Sequence, residues 1–298
     1  MIKRGKKGAD NMPVNDELGK RMKEYYEGIP KTRLMRRCPV ALRLDGKAFH
    51  TFTRGFKRPF DEVLIKTMQE TAKYLCENIQ GVVMAYTQSD EITLILVDYK
   101  KLNSSAWFDY EVQKMCSIAA SMATMAFNKY FEICSLTERL KDDVEHDYEL
   151  GRVYKDALCK GAMFDCRCFN IPKEEVANLI YWRQLDATRN SIQMVGQAYF
   201  SHNELHCKTC NMIQDMLMTQ KGINWNDFPT YQKRGSCVIK EEYAVNESGE
   251  EVEIDYITDV DEPTEDVTFR TRWVIDKDIP IFRGLDRSYI EKLILADE

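Results

Sequence analysis

A chain of 298 residues, 44% hydrophobic and 30% charged, can bury a substantial core in one large domain or two. No apolar run reaches membrane-helix length and the opening MIKRGKKGAD has no apolar signal core, so no membrane partner is expected, and the expected location is the cytoplasm with the ten cysteines reduced. The net charge of −6 does not exclude a nucleic-acid partner: Glu241 to Asp266 holds twelve of the 48 acidic residues and none of the 42 basic ones, so the rest of the chain is basic.

Residues 1–15 read as a mobile basic tail, and Asp16 to Tyr26 as a short helix with Leu18, Met22 and Tyr25 on one side. Lys31 to Arg37 adds four positive charges. In Pro39 to Phe60, Ala41, Arg43 and Asp45 alternate with Val40, Leu42 and Leu44, the period of a half-buried strand, so Asp45 sits at a strand exit before Gly46. Lys47, His50, Arg54, Lys57 and Arg58 then form a cationic loop with Phe49, Phe52 and Phe56 as anchors, a composition suited to a polyphosphate. Asp61 to Asn78 is predicted helical from the stripe Leu64, Met68, Ala72, Leu75, Ile79. Val82 to Tyr86 and Ile92 to Val97 read as a hairpin joined through Thr87, Gln88 and Ser89, with Asp90 and Glu91 at its tip. A helix between strand and hairpin can return the chain so that Asp45 and Asp90 meet. Hard carboxylate ligands suit Mg2+ shared with substrate phosphates, the chemistry of two-metal phosphoryl or nucleotidyl transfer. Taken singly, each acid also reads as a turn cap or an ordinary hairpin tip.

Ser105 to Phe131 is strongly helical, with Phe108, Val112, Met115, Ala119, Met122 and Ala126 on one stripe. The apolar pattern lapses near Thr137, which places a domain boundary there and gives units of 16–133 and 134–298. The acids and His146 beyond it fit a solvated helix or loop better than a metal site. Ala162 to Phe169 reads as a strand, and Lys173 to Phe200 as a long helix opened by Pro172, with Arg183, Arg189 and Asn190 as candidate RNA contacts. Cys207 and Cys210, near His202 and His206, have a zinc-like spacing without a second pair, so zinc is not expected. Ser236 to Tyr243 and Val267 to Ile275 are predicted to pair as a hairpin, with the acidic loop 241–266 at its end.

RLDGKAFHTF, FKRPFD and YTQSDE, in this order and spacing, closely resemble the tRNA-His guanylyltransferase family and its Thg1-like proteins. The resemblance continues through FDCR (Phe164 to Arg167), YWRQLDATRNS (Tyr181 to Ser191) and NWNDFPTYQKRG (Asn224 to Gly235). It implies an α+β fold: a polymerase- and cyclase-like palm, an antiparallel sheet with helices on one face, extended by a C-terminal α/β part. It implies a catalytic set of Asp45, Asp90 and Glu91, with two Mg2+ ions held by Asp45, Asp90 and the Gly46 carbonyl. Lys47, His50, Arg58 and Ser89, with the amides of Ala48 and Phe49, are implied to bind the triphosphate of GTP, another NTP or ATP. Lys233 and Arg234 join the RNA contacts on the same ground.

The implied activity extends the 5′ end of tRNA in the 3′-to-5′ direction. ATP adenylylates a 5′-monophosphate, or a 5′-triphosphate serves directly, and the 3′-hydroxyl of the incoming nucleotide attacks that end. Two departures stand out. Arg58 replaces the family's usual lysine, and Thr188, Arg189, Asn190 and Ser191 stand where eukaryotic members have His-Ile-Asn-Asn. The second favours the Thg1-like branch, which repairs 5′ ends against a template, over untemplated addition of one guanylate to tRNA-His. A nucleotidyl cyclase is the more distant alternative. A homotetramer is also implied.

Overall fold

The computed structural model describes residues 17–141, 148–246, 248, 250–252 and 268–295. The 1–15 tail, His146 and most of the acidic block lie outside the described residues. Seven strands occur among them: β1 (Val40–Gly46), β2 (Val82–Gln88), β3 (Glu91–Leu96), β4 (Phe164–Asn170), β5 (Ser236–Val245), β6 (Glu251–Val252) and β7 (Thr268–Asp276). The helices are α1 (Glu17–Met22), α2 (Phe49–Phe52), α3 (Glu62–Asn78), α4 (Val112–Lys141), α5 (Tyr148–Lys160), α6 (Lys173–Tyr199), α7 (His202–Leu205), α8 (Cys210–Met216), α9 (Thr230–Arg234) and α10 (Ser288–Glu291).

The strands form one antiparallel sheet in the order β4-β1-β3-β2-β5-β6, with β7 also pairing β5. β1 lies between β3 and β4, so Asp45 has Glu91 across from it on one side and Asp165 on the other. The sheet crosses the boundary expected near Thr137, since β4 and β5 come from the C-terminal half.

Period-two alternation sends Val40, Leu42 and Leu44 toward one cluster and Ala41 toward the other. On the first face α3 and α4 pack with Met68, Ala72, Leu75, Met115, Ala119 and Phe127. α3 starts where the Asp61 side chain accepts from the Leu64 amide, an N-cap. On the second face α6 packs Val176, Ala177 and Ile180 against Ala41, Met84 and Ile95. α3 and α4, from the N-terminal part, share one face, and α6, from the C-terminal part, covers the other, because that face is apolar along β1, β2 and β3 and needs a partner.

The three phenylalanines of the cationic loop are core residues. Phe49, Phe52 and Phe56 join Phe127, Phe131 and Phe164, with Phe49 and Phe127 centroids 5.3 Å apart in an edge-to-face arrangement. Each buried ring contributes about 1.5–3 kcal/mol, which anchors the loop to α4 while its charged residues face outward.

Candidate functional site

The two carboxylates do converge. The Gly46 amide donates to the Asp90 carbonyl at 3.1 Å, tying the exit of β1 to the hairpin turn. That turn is tighter than expected: β2 runs to Gln88 and β3 begins at Glu91, leaving Ser89 and Asp90 as the connection. Ser89 takes φ 50°, the left-handed region that tight hairpins demand. Its hydroxyl donates to Asp90 Oδ1 at 3.0 Å. Glycine is required at position 46, where a Cβ would lie 2.3 Å from the Phe49 ring.

Asp45, Gly46, Ala48, Phe49, His50, Arg58, Ser89 and Asp90 line one open cleft of about 720 Å³, with Arg54, Lys57, Met194 and Gln197. Burial pushes the Asp45 carboxyl up, reinforced by the charges of Glu91 and Asp165. Burial also pushes Asp90 up, reinforced by Asp45 and opposed by the Ser89 hydrogen bond. Two carboxylates that repel each other beside a cationic wall suit a divalent cation, whose binding relieves both penalties. Among the described residues no three His, Cys, Asp or Glu side chains form a metal-binding group. A cation here would take the two acids plus carbonyl, water and substrate oxygens.

Residues 19–172 match the family profile of tRNAHis guanylyltransferase, more than half of the chain. The chain belongs to this family. A bacterial tRNA-His guanylyltransferase-like protein, solved in complex with ATP, is 39% identical, with TM-score 0.71 over 93% of this chain and 99% of that one. A bacterial relative in complex with GTP is 36% identical, with TM-score 0.67 over 94% and 100%. The tRNA(His) guanylyltransferase of Kluyveromyces lactis is 28% identical over 75% of this chain and 88% of its own. As a member of the tRNA-His guanylyltransferase family, the chain is a nucleotidyltransferase.

Other residues singled out in this guanylyltransferase-family chain are placed differently. Glu91, across from Asp45, is held by cations: Oε1 lies 3.0 Å from Arg43 Nη2, and Oε2 lies 2.7 Å from Arg183 Nη2 and 3.1 Å from Gln88 Nε2. Arg183, expected on RNA, is only 3% exposed and spends its charge on Glu91 and Asp186. Lys233, likewise expected on RNA, is buried, with its ammonium donating to the Asn226 carbonyl. Both expectations are corrected on the same ground, since a buried and paired cation has no free surface to offer a phosphate.

Arg189 is exposed and pairs with Asp186. Arg234 lies with its guanidinium 5.7 Å from the Trp225 ring. Asn190 lines a small pocket behind Ser89, with Tyr231 and Gln232. Lys47 is exposed at the exit of β1, its amide donating to the Met163 carbonyl, and does not line the cleft. His202 and His206 have ring centroids 6.3 Å apart and line a second cavity with Arg58. Asp165 is a neighbour of Asp45 that the sequence does not flag, because its place depends on the pairing of β1 with β4 across about 120 residues. The only signal was the FDCR motif itself.

Proposed function

We propose that this chain is a metal-dependent nucleotidyltransferase that extends the 5′ end of tRNA in the 3′-to-5′ direction, copying the opposite strand. The observation that carries the reading is the convergence of Asp45 and Asp90 at the mouth of a cleft walled by His50, Arg54, Lys57 and Arg58. A strand exit facing a hairpin turn, each with an acid, is the arrangement of a polymerase-like palm. The ATP and GTP complexes of the two bacterial relatives support nucleoside triphosphates as substrates of the same cleft. Thr188, in place of the histidine that opens the eukaryotic motif, supports templated repair over tRNA-His-specific addition.

Asp45 and Asp90, with the Gly46 carbonyl, would hold Mg2+, two ions in the full reading. When bound, the cation lowers the pKa of an attacking hydroxyl and offsets charge on the leaving phosphate. The chain's own residues do the rest. Arg58 and Lys57 neutralise phosphate oxygens, Arg58 with a two-pronged fork where a lysine would make one point contact. His50 and the amides of Ala48 and Phe49 add donors along the same wall, and Ser89 holds Asp90 in place. Anchoring of Phe49 and Phe52 in the aromatic core keeps this wall rigid, which lowers the reorganisation needed as charge develops. The bond formed joins the nucleotide's 3′-oxygen to the 5′-terminal phosphorus, and AMP or pyrophosphate leaves. A homotetrameric assembly and a cytoplasmic location complete the reading. Exposed Leu18, Tyr25, Tyr26 and Ile29 supply apolar surface for such an assembly.

The test is nucleotide addition to a tRNA lacking its first 5′ residue, with each NTP separately and the opposing base varied. The expected product carries the complement of that base. Guanylate added only to tRNA-His regardless of the opposing base overturns the templated reading in favour of the guanylyltransferase one, and a cyclic nucleotide formed without RNA overturns both.

A further inference from the structure

The face of the sheet covered by α6 carries a chain of alternating charges beneath the hairpin tip. It runs from Arg43 to Glu91, to Arg183, to Asp186 and to Arg189. Both Glu91 oxygens are taken by guanidinium groups, 3.0 and 2.7 Å away. Trp182 sits against the chain, its ring centroid 5.4 Å from the Arg43 guanidinium carbon and 4.4 Å from that of Arg183. The Nε atoms of both arginines are buried without a hydrogen-bond partner. The carboxylates and the indole therefore orient these guanidinium planes without help from Nε.

Glu91 is also the residue that closes the turn bearing Asp90. Its side chain accepts from Gln88 Nε2 at 3.1 Å, its carbonyl accepts from the Thr87 hydroxyl at 3.0 Å, and it stands in register with Asp45. Without Arg183, Glu91 Oε2 would keep only the Gln88 amide, so a charge already felt at Asp45 would be less offset and the turn it braces less firmly held.

We propose that Arg183 is a positioning residue that holds the Glu91 carboxylate in one pose and so fixes the turn on which Asp90 sits. The proposal rests on the reading that Asp45 and Asp90 bind a divalent cation. It assigns α6 a part in building the site, and it makes Glu91 a strut rather than a metal ligand. Both guanidinium contacts of Arg183 come from a single nitrogen, Nη2, which bridges Glu91 and Asp186.

The experiment is titration of the nucleotide-free protein with Mn2+, read by electron paramagnetic resonance, with thermal melting recorded for every variant. Wild type is expected to bind and Asp45→Asn to lose binding. Arg183→Met is expected to weaken Mn2+ binding about 10- to 100-fold, the usual effect of removing a partner that orients a ligand. The double variant Arg183→Met, Glu91→Gln removes the carboxylate charge that Arg43 alone would then offset and is expected to recover most of that loss. Should Arg183→Met fail to fold, Arg183→Lys carries the test, with weakened binding at an unchanged melting temperature expected. Wild-type affinity in the Arg183 variants overturns the positioning role alone. A double variant no better than the single one also overturns it, because Arg183 then acts without Glu91. Wild-type protein that binds no Mn2+, or an Asp45→Asn variant that still binds it, overturns the cation reading and this proposal with it.

Discussion

The two faces of the sheet are held by different forces. Toward α3 and α4 the contact is carbon against carbon, centred on six phenylalanine rings, among them Phe127 and Phe131 with no exposed surface. Toward α6 the lower part is apolar, but the part under the candidate site is a row of ion pairs from Arg43 to Asp186. Apolar packing is strong and non-directional, so it fixes where the strands lie. Charge-assisted hydrogen bonds are directional, so they fix where individual carboxylates point. The site stands where the two meet, with its loop rooted in the first face and its turn braced by the second.

Breaking the site itself has the largest effect. Asp90→Ala is expected to lower the rate of nucleotide addition by about 10⁴-fold, several kcal/mol of transition-state stabilisation, while filter binding of tRNA stays near wild type. Equal loss of both would remove the metal role. Breaking the aromatic face acts on stability instead: Phe127→Ala is expected to lower the unfolding free energy by about 3–5 kcal/mol in a urea titration. A loss below about 1 kcal/mol would show that the cluster collapses around the gap or does not anchor the sheet.

The third and smallest effect separates function from stability at one residue. The folded-state pKa of Asp45 is raised, so near neutral pH the ionised group opposes folding, and stability falls as pH rises through the carboxylate range. Metal-free Asp45→Asn is therefore expected to melt above wild type near neutral pH. The gap should close in acid, where wild-type Asp45 is protonated in both states. Added Mg2+ should raise the melting temperature of wild type only. A variant that melts below wild type without metal contradicts the burial penalty.

Much of the site could be read from sequence because its signals are local. Alternation over Val40–Asp45, the glycine after it and the acidic hairpin tip each lie within a few residues, and the helical stripe Met68, Ala72, Leu75 is buried as its spacing predicts. What the sequence concealed was burial of charge. Arg183 looks like any exposed helix arginine until Glu91, 92 positions earlier, is known to lie beneath it. Lys233 is hidden the same way, by a carbonyl seven residues back and the packing of Trp225. The helix Lys173 to Phe200 was legible but its place was not, because the apolar residues of α6 scatter around most of its circumference, and only pairing in the sheet shows which face they meet.

The strand order has a consequence in time. β1 is completed by β4, Val40 pairing with Asn170, and β2 is completed by β5, Met84 pairing with Ile239. Closing such long loops precedes any reward from the contacts they make, so topologies of this kind fold slowly. During synthesis the acids emerge early on the ribosome, yet the sheet that sets them cannot close on both sides until β5 has left the exit tunnel. The nascent chain thus carries its chemistry long before it can use it, and its unpaired strand edges are exposed to chaperones for that whole interval.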